Sequence, residues 1–178
     1  MTVSSPEFRA RSPRHRFGLK GPSAEQWLAT HVLLVPAAPN TWSEANGARD
    51  TLLVARLGSS EFFLEYREGD ATLRNLDTAL GGSWPPGVYP VLRQDAAFQL
   101  SGEGSLDVLA QVCNVNFGDL ALEPNPVIMT LMVGVAVLVI PRMVDGERQF
   151  KIWCDPTFGA YLADSLGTVV IESGGKRA

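Results

Sequence analysis

Phe17-Gly18-Leu19-Lys20-Gly21 and Phe98-Gln99-Leu100-Ser101-Gly102 share the pattern Phe-x-Leu-x-Gly, and each is followed six residues later by Leu-Ala, at Leu28-Ala29 and Leu109-Ala110. The copies stand 81 positions apart with no gap between matching positions. Self-similarity at a fixed offset means that two stretches of chain solve one packing problem in the same way. In the first copy Phe17 and Leu19 alternate as in a strand and Gly21 turns the chain. Pro22 then suits a first helical position, and Trp27, Leu28 and Val32 form an apolar stripe. In the second, Phe98 and Leu100 alternate, Gly102 turns, and Leu106, Leu109, Ala110 and Cys113 fall on one helical face.

The sequels agree in kind. Leu52–Leu57, the turn Gly58-Ser59-Ser60 and Glu61–Tyr66 predict a hairpin, and Asp70 is placed to cap a helix ending at Leu80 before Gly81. Val135–Ile140, Asp145-Gly146 and Gln149–Trp153 predict the second hairpin, with a helix from Asp155-Pro156 to Leu166 before Gly167. Val88–Arg93 and Thr168–Glu172 supply a last strand to each half. The expected fold is therefore α+β, built from two β-α-β-β-α-β halves whose antiparallel sheets are covered by helices. The boundaries expected are a basic, flexible arm over 1–16, halves over 17–93 and 94–172, and a tail over 173–178.

A chain of 178 residues, 46% of them hydrophobic, can bury a real core, and its net charge of −4 leaves no footprint for nucleic acid. Arg9, Arg11, Arg14 and Arg16 form one local basic exception, read as a solvated tail. No leader-like apolar stretch opens the sequence, which leads us to expect a cytoplasmic protein. The uncharged run Val127–Ile140 is too short for the roughly 20 residues of a membrane helix, and its Gly134 suits buried strands that turn there. Cys113 and Cys154 read as reduced apolar fillers.

Reaction chemistry is sparse. Only His15 and His31 are available for a triad or a Cys-His pair, and CxxC, HExxH, acidic calcium loops and P-loops are all missing, so neither catalytic nor metal residues are expected. Ser101-Gly102-Glu103-Gly104-Ser105 shows Gly-x-Gly between strand and helix, but the third glycine of a dinucleotide fingerprint would fall on Asp107, and Glu103 would oppose a pyrophosphate. One polar cluster remains. Arg93 and Asp95 precede the second repeat, Asn114 and Asn116 follow its helix, and these four are the candidate ligand residues, with helix capping as the competing role.

The run Leu92–Gly102, together with Leu109-Ala110-Gln111-Val112-Cys113-Asn114, Thr130-Leu131 and Phe158-Gly159-Ala160-Tyr161-Leu162, resembles the folate-binding aminomethyltransferase-like family. Within it, the chain is most similar to gamma-type subunits of heterotetrameric sarcosine oxidases. The resemblance implies a partner, the large alpha-type flavoprotein subunit. In such a complex FAD, FMN and NAD reside on other chains, and tetrahydrofolate on the large subunit accepts the one-carbon unit released from the N-methyl amino acid. No cofactor is implied for this chain itself. The family's catalytic members end the corresponding helix in Asn-Asp and carry acidic residues after a Gly-Gly turn. Here Val115 follows Asn114, and Val133-Gly134-Val135-Ala136-Val137 replaces the turn and its acids. A valine takes no proton. The implied role is thus a non-catalytic subunit, with a stand-alone tetrahydrofolate-binding aminomethyltransferase-like protein and a homo-oligomeric scaffold as alternatives.

Overall fold

The structure is a computed structural model that describes residues 5–11, 14–32, 34–45, 52–67 and 78–178. Its elements, in chain order, begin with β1 (Glu7–Ala10), β2 (His15–Lys20), α1 (Ala24–Ala29), β3 (Thr41–Ala45), β4 (Leu52–Arg56), β5 (Glu61–Tyr66) and β6 (Tyr89–Leu92). They continue with β7 (Ala96–Ser101), α2 (Ser105–Val112), β8 (Ile128–Met132), β9 (Val135–Val144), β10 (Glu147–Cys154), α3 (Gly159–Glu172) and β11 (Lys176–Arg177). The chain divides into two compact units. One is Pro13–Arg93, and the other joins Met1–Ser12 to Gln94–Ala178.

The first unit holds a five-stranded sheet in the order β3-β4-β5-β2-β6, antiparallel throughout. Leu19, Leu28, Leu52, Val54, Phe62 and Leu64 meet on its helix side. Arg56 is its main polar anchor. Its guanidinium donates to the carbonyls of Pro36, Ala37, Gly58 and Ser59 and to Glu25 Oε2 at 2.8 Å, so one side chain ties α1, the 36–37 loop and the β4–β5 turn together. A planar five-donor group suits that task, and lysine would not.

The second unit holds a six-stranded sheet in the order β11-β1-β7-β10-β9-β8. Phe8, Phe98, Leu100, Leu109, Phe150 and Leu162 contribute to its core. The two sheets share a register. Phe17 and Leu19 face Leu64 and Phe62 in the first, and Phe98 and Leu100 face Ile152 and Phe150 in the second.

Several expectations are corrected. Each half contains a further strand ahead of its hairpin, β3 in one and β8 in the other, so the order is not β-α-β-β-α-β. The uncharged run turns at Val133-Gly134 to give β8 and β9 as a hairpin. Residues 168–172 are the last turns of α3 rather than a strand. Gly167 does not end that helix, because it is a notch, and a Cβ there would come within 2.6 Å of Arg177 Cδ. The expected basic arm is structured at 7–10, where β1 joins the second sheet, and at 15–16, which open β2. The expected tail carries β11, which pairs with β1 in parallel, so this sheet is mixed rather than antiparallel. Of the expected 70–80 helix, residues 78–80 are helical and the rest, with its Asp70 cap, lies outside the described residues.

Candidate functional site

Side chains alternate across a strand, so each sheet has a face turned away from its helices. On the first sheet that face carries two cross-strand rows: Glu44, Leu53, Glu65 and Arg16, then Trp42, Ala55, Phe63, Gly18 and Val91. Arg16 Nε donates to Glu65 Oε2 at 2.8 Å, with the Glu65 side chain only 1% exposed and that of Arg16 10%. Gly18 is required by close approach, since a Cβ there would stand 2.9 Å from Val91 Cβ.

The second sheet places Leu138, Trp153 and Ala97 in one row and Ile140, Lys151, Gln99 and Arg9 in the next. Lys151 is 1% exposed and Gln99 is buried as well. Arg11 lies over the Trp153 ring at 5.8 Å, and Arg93, just beyond β6, lies over Phe63 at 5.0 Å. Each sheet thus stacks an arginine on an aromatic of its central strand. Such contacts position planar cations and fix surfaces; they move no protons.

The four expected ligand residues are distributed as follows. Arg93 closes the first unit, and the others belong to the second. Asp95 is half-buried ahead of β7, beside Cys154. Asn114 is exposed just after α2. Asn116 is engaged in its own turn, its Nδ2 donating to Asp119 Oδ2 at 2.7 Å and its Oδ1 accepting from the Gly118 amide at 3.1 Å. That is a local Asx turn in the loop, while the cap position of α2 is held by Cys113. Val115, in the position where catalytic relatives are implied to hold an aspartate, packs partly buried against the core. The end of α2 is itself tied down, because Cys113 bridges to Met132 and the Val133 amide donates to the Val112 carbonyl at 2.9 Å.

Nucleophiles are poorly served. Cys113 and Cys154 are free and buried. Burial, with smaller contributions from Asp95 and Asp155, pushes the Cys154 thiol up to about 11, so it stays protonated at neutral pH. His31 packs on Trp27 at 4.2 Å with Nδ1 near the Trp27 carbonyl, and His15 packs on Tyr66. Among the described residues, no three His, Cys, Asp or Glu side chains gather to hold a metal ion, and no helix is long and apolar enough to cross a membrane.

No protein-family profile matches the sequence, and no curated protein does. Solved structures do. A chain of heterotetrameric sarcosine oxidase from Corynebacterium sp. U-96, solved in complex with pyrrole 2-carboxylate, is similar with a TM-score of 0.72 at 25% identity, covering 96% of this chain and 86% of that one. Glycine cleavage system aminomethyltransferase T from Bartonella henselae is similar with a TM-score of 0.70 at 16% identity, covering 99% of this chain and 48% of that one. The fold is the one these two proteins share. At 16% identity the likeness to aminomethyltransferase T concerns fold alone, and this chain spans about half of that protein.

Proposed function

We propose that the chain is a non-catalytic, gamma-type subunit of a flavin- and folate-dependent complex that oxidises sarcosine or a related N-methyl amino acid. The observation that carries this reading is the end-to-end likeness to a chain of heterotetrameric sarcosine oxidase, which covers 96% of one and 86% of the other, so the two are close in length as well as fold. The local chemistry supports it. Val115 packs against the core in place of a carboxylate, and the side-chain amide of Asn116 is used by its own turn. On this reading the residues after α2 serve packing and local turns, and tetrahydrofolate, FAD, FMN and NAD sit on other subunits. Arg93, Asp95 and Asn114 would then serve packing against an alpha-type subunit rather than a pterin.

Co-expression with a large flavoprotein subunit tests this. A stable complex is expected, while the isolated chain neither turns over sarcosine nor retains flavin. A tight flavin complex of the isolated chain would sink the proposal. Calorimetric titration with tetrahydrofolate separates the stand-alone alternative, which micromolar binding by the chain alone would favour.

A further inference from the structure

Residues 5–10 fill a slot in the second sheet whose counterpart in the first sheet is filled from a different part of the chain. β1 runs antiparallel to β7, as β6 runs antiparallel to β2. Phe98 faces Ala10 and Leu100 faces Phe8, as Phe17 faces Leu92 and Leu19 faces Pro90. The glycine of each repeat makes room in the same way: a Cβ on Gly21 would strike the Gly87 carbonyl, and one on Gly102 the Ser5 carbonyl. Yet β6 arrives from the end of its own half, whereas β1 precedes the whole first unit and is joined to β2 by residues 11–14. A slot that takes its strand from either connection does not depend on the connection.

We propose that this slot is also filled in trans, with β1 of a second copy lying between β7 and β11, so that two chains exchange their first strands. The slot fits this particular segment. The Pro6 carbonyl accepts from the Lys176 amide at 2.8 Å, the Phe8 carbonyl from the Ala178 amide at 2.9 Å, and the Arg11 amide donates to Ala97 at 2.9 Å. Phe8 is buried and stacks on Phe98 at 5.4 Å, and Gly102 and Gly175 carry no side chain where Ser5 and Pro6 pass. A reciprocal exchange remakes every one of these contacts, leaving only the hinge and the association itself as differences between monomer and dimer. Opening is local. β1 has four residues, and its outer neighbour β11 has two, both exposed. The exchange is independent of the complex that the chain joins.

Glu7 and Ser101 lie directly opposite each other across β1 and β7, which gives a direct test in the full chain. Glu7→Cys and Ser101→Cys variants are mixed at high concentration and oxidised. A disulfide-linked heterodimer is expected, increasing with the concentration during incubation and at least tenfold above a mixture of Glu7→Cys with Asp119→Cys, whose loop lies outside the slot. A yield equal to that control overturns the proposal. Hydrogen exchange on the unsubstituted chain supplies a second readout. Amides of β1 are expected to exchange at least tenfold faster than those of β10, and equal protection of the two strands would overturn the proposed opening.

Discussion

Arg16 and Glu65 face each other on the first sheet in the register that Ala97 and Trp153 occupy on the second. One unit therefore holds a buried ion pair where the other holds an apolar pair, while the helix-side positions beside them are apolar in both, Leu64 matching Ile152 and Phe62 matching Phe150. The repeat thus constrains the helix side of the sheet and leaves the other face free to vary. A buried ion pair is often no more stabilising than a well-packed apolar replacement, but removing one partner strands a charge. The second unit shows what such a replacement looks like at these positions.

Breaking the pair is the largest effect expected. Arg16→Ala leaves the Glu65 carboxylate buried without its 2.8 Å guanidinium partner and is expected to lower the urea-unfolding free energy by about 3–5 kcal/mol. Adding Glu65→Trp, so that the first sheet carries the second sheet's pair, should recover most of that loss. A double variant as unstable as the single one would show that the two faces are not interchangeable.

The glycines sharpen the comparison at intermediate cost. Gly21 and Gly102 have φ of 117° and 90°, and both abut backbone that a Cβ would strike. Gly21→Ala and Gly102→Ala are expected to destabilise similarly, by more than the roughly 1–3 kcal/mol of backbone strain alone. Gly134 also has a positive φ, 84°, but open space around it. Gly134→Ala should therefore cost only about 1–2 kcal/mol by thermal melting.

The last effect, a pH dependence absent at neutral pH, belongs to Cys154 of the second unit. Its thiol ionises near 9.0 when unfolded and at about 11 when folded. The folded state holds the proton more tightly, so the stabilisation is present below pH 9 and is lost as pH rises towards 11. Thiol-reagent kinetics on the folded protein should likewise show Cys154 silent at pH 8, and rapid labelling there would refute the shift.

What could be read from the sequence follows the physics of each segment. Period-two apolar alternation around Phe17-Leu19 and Phe98-Leu100, bounded by glycines at positive φ, specifies strand, turn and register together, and both sheets are built on it. β3 carries no clear strand signal because Thr41-Trp42-Ser43-Glu44 mixes polar and apolar residues without a clean alternation, and pairing with β4 rather than propensity makes it a strand. Thr168–Glu172 has strong strand propensity, yet Val170 buried in the core holds it in α3. Of the polar face, Glu65 and Lys151 leave a trace, as charges flanked by apolar residues within strands, whereas Arg16 reads as part of the basic run before it. Arg93, Asp95, Asn114 and Asn116 stand at element ends, a position that serves local turn bonds as readily as binding. Asn116 illustrates this in its own turn.

The pairing of β1 with β7 joins segments roughly 90 residues apart, and that of β1 with β11 closes nearly the whole sequence. Phe8 thus lies far ahead in sequence of both strands that flank it, β7 and β11. The five strands of the first unit all lie between β1 and β7 in sequence. Local and early pairings close before distant ones. β1 is thus expected to be among the last strands to find its place, after the sheet of the first unit has closed.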